Sequence, residues 1–212
     1  MNKMNKGFTL AEVLITLVII GVIGALTVPS LIQNTQKQEY VSALKKTYST
    51  LSQAAQAIIA EEGSPKSSCE TCDDGWASSG EEVYKQFKKH LNIVKDCGTA
   101  GGCFGSGRYK HLSLKQIDNG NWNTRGETHK IVTADGAAIG FWKSGNNIVV
   151  DINGAKGPNI FGRDFFWFLI TENGIIPRGC TDGSVDICDA SNGNGIGEGC
   201  ACKVLREGAM NY

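Results

Sequence analysis

The stretch Lys6-Gly7-Phe8-Thr9-Leu10-Ala11-Glu12 opens an apolar run that ends at Val28. Within this run the one charged residue is Glu12, and the uncharged polar residues are threonines. A helix that crosses the hydrocarbon core of a bilayer needs about 20 apolar residues, whereas the apolar region of a secretory signal has about 7–15. The sequence therefore predicts one membrane-spanning helix at the N-terminal end of the chain.

Glu12 is unusual at this position because a carboxylate inside a spanning helix costs free energy. It lies about one helical turn beyond Phe8. A charged residue in such a segment is by default a functional hypothesis. The alternative is that its carboxylate reaches the membrane interface and does nothing specific.

The segment Gly7-Phe8-Thr9-Leu10-Ala11-Glu12, followed by an unbroken apolar run, resembles the processing motif of type IV prepilins and of the pseudopilins of type II secretion. The resemblance implies that a membrane aspartyl peptidase cuts between Gly7 and Phe8 and that the same enzyme methylates the new N-terminus. Pro29 also fits the family, and it should kink or locally melt the helix because it lacks a backbone donor.

Cleavage would give Glu12 a partner. The new α-amino group at Phe8 is a cation beside an apolar helix, and in a filament the Glu12 carboxylate of a neighbouring subunit could lie against it. Because each charge is costly alone, their pairing would set the subunit register. Glu12 is therefore the predicted assembly residue.

The helix is expected to continue beyond the membrane. Apolar or aromatic residues recur every three or four positions at Val41, Leu44, Tyr48, Leu51, Ala55 and Ile58, the pattern of an amphipathic helix. Gly63-Ser64-Pro65 should end it. The predicted organisation is a leader at 1–7, a membrane or filament-core helix at 8–29, an amphipathic continuation at 30–62 and a globular domain at 63–212.

Beyond the long helix, the pattern changes towards strands. A second helix is predicted from Glu81 to Val94, and residues 97–123 should be irregular, with local order possible at Tyr109–Ile117. Four short runs with turn residues between them are predicted as strands: Lys130–Ala134, Ala137–Lys143, Ile148–Ile152 and Phe165–Thr171. Residues 203–212 should add a last strand or tuck against the sheet. The predicted class is α+β and pilin-like, with the long helix packed on an antiparallel β-meander carrying disulfide-rich loops.

Topology follows from the charges around the span. Lys3 and Lys6 precede it, which places the N-terminus in the cytoplasm and the globular domain outside the inner membrane. All eight cysteines lie in that domain, at Cys69, Cys72, Cys97, Cys103, Cys180, Cys188, Cys200 and Cys202. An even number in an oxidising compartment predicts disulfides, although eight cysteines allow 105 connectivities.

Two cysteine pairs can be discussed individually. Proximity along the chain favours a Cys97–Cys103 bridge. Cys69-x-x-Cys72 could pair with itself, bind zinc with another pair, or act as a redox motif. A second Cys-x-x-Cys, which would support zinc, is absent from the sequence, and the surrounding serines and Pro65 indicate a loop. A structural disulfide is the favoured interpretation.

Two acidic stretches could hold calcium. In the first, Asp151, Asn153 and Asp164 supply oxygen ligands, but Asx turns need only this composition and are favoured here. The second is a glycine-rich loop, residues 180–202, containing Asp182, Asp186 and Asp189 without EF-hand spacing. Acidic pseudopilin loops of this kind can bind calcium, so the resemblance raises that expectation. Such loops are usually just solvated, however, and no cofactor is predicted beyond a possible calcium ion.

The charge balance bears on partners. The whole chain has a formal net charge of +0, and loss of Lys3 and Lys6 with the leader would leave 19 basic against 21 acidic side chains. No nucleic-acid partner is expected, because that needs a clustered Lys/Arg footprint. The resemblance implies other partners: copies of this chain or other pilins, a prepilin peptidase and an inner-membrane assembly platform.

Three functions compete at this point. The favoured one is a pilin or pseudopilin subunit, anchored in the inner membrane by one span and later part of a periplasmic or cell-surface filament. The alternative is a minor pilin whose disulfide-rich surface acts as a tip adhesin or binding module. The third, a membrane-anchored redox enzyme, depends only on Cys69-x-x-Cys72, so we predict that the chain is not an enzyme.

Overall fold

The computed structural model describes residues 7–63, 65, 77–117, 120–143, 146–180, 188–190 and 195–212. The chain divides into two compact units, residues 1–39 and 40–212, which are described separately. The helices are α1 (Leu10–Glu62), α2 (Ala77–His90) and α3 (Cys200–Glu207). The strands are β1 (Ile93–Gly98), β2 (Thr128–Thr133), β3 (Ala138–Trp142), β4 (Asn147–Asp151), β5 (Phe165–Thr171) and β6 (Gly174–Pro177).

The first unit contains the apolar part of α1. Its large apolar side chains are exposed, with values between 43% for Val13 and 89% for Phe8. Within the described residues, α1 is the helix long and apolar enough to cross a membrane. The helix continues through Pro29, and the predicted kink there stays a prediction.

The second unit begins where α1 acquires a buried face. Its buried side chains repeat at helical spacing: Val41, Leu44, Thr47, Leu51, Ala54, Ala55 and Ile58. Tyr48 is half-buried and stacks on Phe168 of β5, with ring centroids 5.8 Å apart. α1 ends at Glu62, where Gly63 adopts a φ of 88° and donates its N–H to the carbonyl of Ile59. A glycine in this left-handed conformation is a common helix terminator.

The sheet is an antiparallel meander, in the order β1-β2-β3-β4-β5-β6. The predicted strands correspond to β2 to β5, so the α+β layout of a long helix and an antiparallel sheet is confirmed. β1 and β6 were not predicted. The reason is that each is a short edge strand whose strand conformation depends on pairing with a neighbour distant in sequence or across a turn.

Both faces of the sheet are buried, because successive side chains of a strand point to opposite sides. One face packs with α1 and α2 through residues such as Ile139, Phe141 and Phe168. The other face carries an aromatic cluster, which we define as Phe104, Tyr109, Trp122, Phe161, Phe165 and Trp167. The cluster fills the space between the sheet and the long segment that follows β1.

The predicted second helix, Glu81–Val94, is wrong at its C-terminal end. α2 ends at His90, and Val94 belongs to β1, where its side chain is 66% exposed. Val94 completed the helical pattern in sequence, but backbone pairing takes this segment into the sheet, with Ile93 opposite Thr133. Long-range strand hydrogen bonds here override a local helical pattern.

The predicted last strand is also wrong, whereas the tucking of the C-terminal residues is confirmed. Residues 200–207 form α3, which ends at Gly208 with a φ of 66°. Met210 beyond it is 4% exposed, and the Tyr212 hydroxyl donates to the carbonyl of Gly162. Two disulfides hold the first turn of α3 and favour a short helix there. Apolar periodicity over so few residues could not distinguish a helix from a strand.

Candidate functional site

The N-terminal motif contains a reciprocal hydrogen-bonded cap. The Glu12 carboxylate accepts the Thr9 backbone N–H at 2.8 Å and the Thr9 hydroxyl at 2.8 Å. In return, the Glu12 N–H donates to the Thr9 hydroxyl oxygen at 3.3 Å. This is a capping box, which satisfies donors at the start of α1 that have no partner inside the helix.

The bond expected to be cut lies just before this cap. Gly7 and Phe8 precede α1 and have no regular secondary structure. Among the described residues other than its chain neighbours, no heavy atom lies within 4 Å of the position that a Cβ would take on Gly7, and Phe8 is 89% exposed. Exposed, non-helical backbone of this kind is the preferred substrate of proteases.

Residues 2–28 match the family model described as the prokaryotic N-terminal methylation motif. The chain carries the type IV pilin and pseudopilin signature. No curated protein and no solved structure matches the chain. The signature covers the motif and the apolar half of α1, and it fits membrane anchoring of a pilin-type subunit.

Of the calcium candidates, Asp164 has its carboxylate occupied by backbone donors of its own segment. Its Oδ1 accepts the N–H of Ile160 at 2.7 Å, and its Oδ2 accepts the N–H of Asn159 at 2.7 Å. Asn153 donates its side-chain amide to the same carboxylate at 3.3 Å. This arrangement closes a loop, as Asp and Asn side chains do in Asx turns.

Asp151 is buried beside that loop. Its Oδ2 accepts the Tyr109 hydroxyl at 2.5 Å, and its Oδ1 accepts the N–H of Asn153 at 3.3 Å. Burial raises the pKa of Asp151 well above its usual value, and the nearby Asp164 carboxylate raises it further. Burial also raises the pKa of Asp164, against the opposing effect of the backbone N–H groups. These two carboxylates therefore bind protons more tightly than exposed ones.

The second calcium candidate is mostly outside the described residues, since Asp182 and Asp186 lie there. Asp189 is described and exposed. Within the described part of the chain, no group of three or more His, Cys, Asp or Glu side chains is arranged to hold a metal ion.

The structure pairs six of the cysteines as Cys97–Cys103, Cys180–Cys202 and Cys188–Cys200. The local Cys97–Cys103 bridge that proximity favoured is present. The two other bridges both reach the start of α3, and sequence spacing did not identify them. Cys69 and Cys72 lie outside the described residues, so their pairing stays a prediction.

Sequence reasoning overlooked two side chains that fasten the segment after β1. Lys130 is buried, and its ammonium donates to the carbonyls of Thr99, Ala100 and Arg125 at 2.7–3.1 Å. The Arg125 guanidinium lies over two indole rings, 4.7 Å from Trp122 and 4.4 Å from Trp142. No sequence pattern indicates either contact. The capping box was overlooked as well, although Thr-x-x-Glu at Thr9 is a sequence signal for it.

Proposed function

We propose that this chain is a pilin or pseudopilin subunit that is cut between Gly7 and Phe8, methylated at Phe8 and polymerised into a type IV pilus or a type II secretion pseudopilus. The observation that carries the proposal is the methylation motif over residues 2–28. The exposed Gly7–Phe8 junction before a capped apolar helix supports it. This motif suggests a structural subunit rather than an enzyme.

The proposed assembly begins in the inner membrane. α1 anchors the precursor there, with the N-terminus in the cytoplasm and residues 40–212 outside. A prepilin peptidase exposes the Phe8 amine, and an assembly platform then moves the subunit into the filament. The apolar side chains of α1, exposed in the single chain, would be covered by other copies or other pilins, because large exposed apolar surfaces mark interaction sites.

The decisive test is N-terminal sequencing together with intact mass of the native protein extracted from membranes. The expected chain starts at Phe8 and carries one added methyl group. A chain that starts at Met1 would indicate a simple signal-anchored protein. A start beyond Ala25 would indicate ordinary signal-peptide removal, and the filament function would be lost.

A matched pair of variants tests the cleavage site. Gly7→Leu should block processing, because the peptidase must approach the backbone where glycine has no side chain. Ala11→Leu places the same leucine side chain inside α1 and should be processed normally. Normal processing of Gly7→Leu would contradict the proposed site.

We also propose that the segment from Asp151 to Asp164 is held by turn chemistry and needs no calcium. The hydrogen bonds that both carboxylates accept support this, because they tie Asp151 and Asp164 to donors of the protein itself. The side-chain oxygen of Asn153 has no hydrogen-bond partner within the described residues, so the proposal needs a direct test with calcium. Millimolar calcium, compared with excess chelator, should leave the thermal unfolding midpoint unchanged. A saturable rise with calcium that Asp164→Asn abolishes would show that the segment is a metal site.

A further inference from the structure

A cavity of about 300 Å³ lies in the second unit, beside the turn that joins β2 and β3. Its lining consists of Lys46 and Thr50 of α1, Asn92 between α2 and β1, and Thr133, Ala134 and Asp135. Ligand sites in proteins begin at about this volume. Three segments that are distant in sequence meet here, so the cavity belongs to the folded unit rather than to a single loop.

The Asp135 carboxylate is held in place at this cavity. Its side chain is 17% exposed, and its Oδ1 accepts the hydroxyl of Thr133, a residue that is 4% exposed. The turn that carries Asp135 is closed by the Gly136 N–H, which donates to the Thr133 carbonyl at 2.8 Å. A buried side chain and a closed turn therefore position this carboxylate.

Lys46 is the cation nearest to this carboxylate among the described residues. Its ammonium lies 3.7 Å from Oδ2 of Asp135, and its side chain is 65% exposed. This separation is too long for a hydrogen bond, which needs about 2.7–3.2 Å. Within the described residues, the hydrogen bond to the Asp135 carboxylate comes from Thr133, so Oδ2 keeps its capacity to accept one. An exposed ion pair contributes little to stability, and both of its charges stay able to bind a ligand.

We propose that this cavity binds a small free α-amino acid as its zwitterion. The ligand's ammonium donates to Oδ2 of Asp135, and the ligand's carboxylate accepts from the Lys46 ammonium. An α-amino acid carries both charged groups on one carbon, so it can lie antiparallel to the Asp135–Lys46 pair. The four charges then alternate in sign around a ring, and each has an opposite charge on either side. A ligand with a single charge would instead face a pair whose net charge is zero.

The rest of the lining favours a ligand with a small polar body. The Thr50 hydroxyl donates to the Lys46 carbonyl at 3.1 Å, which leaves its oxygen able to accept a hydrogen bond. Asn92 is exposed, and Ala134 is small. This site does not depend on the proposed filament function, because all of its residues lie outside the methylation motif. Failure of one proposal therefore leaves the other intact.

Titration of the full chain in detergent micelles, followed by amide NMR, tests the proposal with three matched ligands. Glycine is the zwitterion, ethanolamine replaces its carboxylate with a hydroxymethyl group, and glycolate replaces its ammonium with a hydroxyl group. Glycine should shift the amide signals of Asn92, Ala134 and Gly136 saturably. Its dissociation constant should be at least about tenfold below that of either analogue, because each analogue lacks one charge-assisted hydrogen bond. Equal dissociation constants for glycine and ethanolamine, or no saturation with millimolar glycine, would overturn the proposal.

Two variants locate the site. Asp135→Asn should raise the dissociation constant of glycine by about tenfold or more, because it removes the half-buried charge. Lys46→Met should raise it by about two- to fivefold, since Lys46 is exposed. The same variant should bind ethanolamine more tightly, because no lysine then competes for Asp135. A merely structural role of Lys46 would not change the two ligands in opposite directions, and unchanged glycine binding in both variants would overturn the proposal.

A second ion pair provides the control. The charged atoms of Lys85 and Glu81 on α2 are 2.9 Å apart, and their side chains are 53% and 49% exposed. Lys85→Met and Glu81→Gln remove this pair without touching the cavity lining and should leave glycine binding unchanged. Loss of binding in either control would overturn the assigned site. If Asp135→Asn fails to fold, Lys46→Met still decides, because an exposed substitution on α1 leaves the fold intact.

Discussion

At the scale of single residues, Glu12 combines two roles that a simple substitution would confuse. Its carboxylate closes a capping box with Thr9, and the proposed function pairs the same carboxylate with the Phe8 amine of a neighbour. Glutamine preserves the cap but not the charge, because a capping box accepts either residue. The two roles can therefore be separated.

We predict that Glu12→Gln and Glu12→Ala both leave membrane insertion and Gly7–Phe8 cleavage intact, while both lose filament assembly. The physical reason is that only a charge compensates the buried amine of the neighbour. Electron microscopy and fractionation of assembled protein measure the effect. Assembly by the glutamine variant alone would show that Glu12 acts through the helix cap.

Asp151 gives a pH-dependent prediction. Since its pKa is raised in the folded protein, the native state binds the proton more tightly than the unfolded state, and stability falls as pH rises above about 4. Asp151→Asn removes this dependence. Relative to the wild type, the free energy of unfolding of the variant should rise by on the order of 1 kcal/mol or more between pH 4 and pH 8.

Urea unfolding at both pH values measures this difference. Glu172→Gln is the control, because Glu172 is exposed and should show no comparable gain. A relative stability of Asp151→Asn that falls between pH 4 and pH 8 would contradict the raised pKa.

Lys130 is predicted to be structural. Lys130→Met keeps most of the length of the side chain but removes the ammonium that three carbonyls share, and a hydrogen bond to a charged group contributes about 1.5–3 kcal/mol. We expect a loss of at least about 2 kcal/mol in unfolding free energy. Lys95→Met is the matched control, since Lys95 is exposed and donates to one carbonyl, of Gly102. Equal losses for the two variants would contradict this role.

At the scale of elements, the disulfides are expected to contribute unequally to conformational stability. Cys180–Cys202 closes a separation of 22 residues and Cys97–Cys103 a separation of 6. In the chain-entropy description the longer loop contributes about 3 kcal/mol and the shorter about 2 kcal/mol. The Cys180→Ala/Cys202→Ala chain should therefore be less stable than the Cys97→Ala/Cys103→Ala chain. Thermal unfolding of both oxidised variants measures the order, and the reverse order would show that local packing outweighs chain entropy.

Elements also differ in how far the sequence could predict them. α1 and β2 to β5 follow from patterns within each segment, namely helical periodicity and β-branched runs between turn residues. β1 and the end of α2 could not be predicted, because Val94 completes an apolar helical pattern whereas the chain pairs Ile93 with Thr133. That choice depends on a partner strand far along the sequence.

At the scale of the whole molecule, the aromatic cluster depends on the segment between β1 and β2. The sequence of this segment is glycine-rich and has no clear period. Its conformation is determined by distant contacts, including the Tyr109 hydroxyl with Asp151 and the Lys130 ammonium with three carbonyls. The bonds of Leu112 and Ser113 to residues 195–196 add a further constraint.

The sequence by itself determined the membrane-type helix, its processing motif, the antiparallel meander and the use of cysteines for disulfides. These depend on composition and on spacing over a few residues, which the chain carries locally. Only the tertiary structure decided that Cys180 pairs with Cys202 and Cys188 with Cys200, and that both faces of the sheet are buried. Those features require groups far apart in sequence to meet, and the free energy that brings them together belongs to the folded core rather than to any one segment.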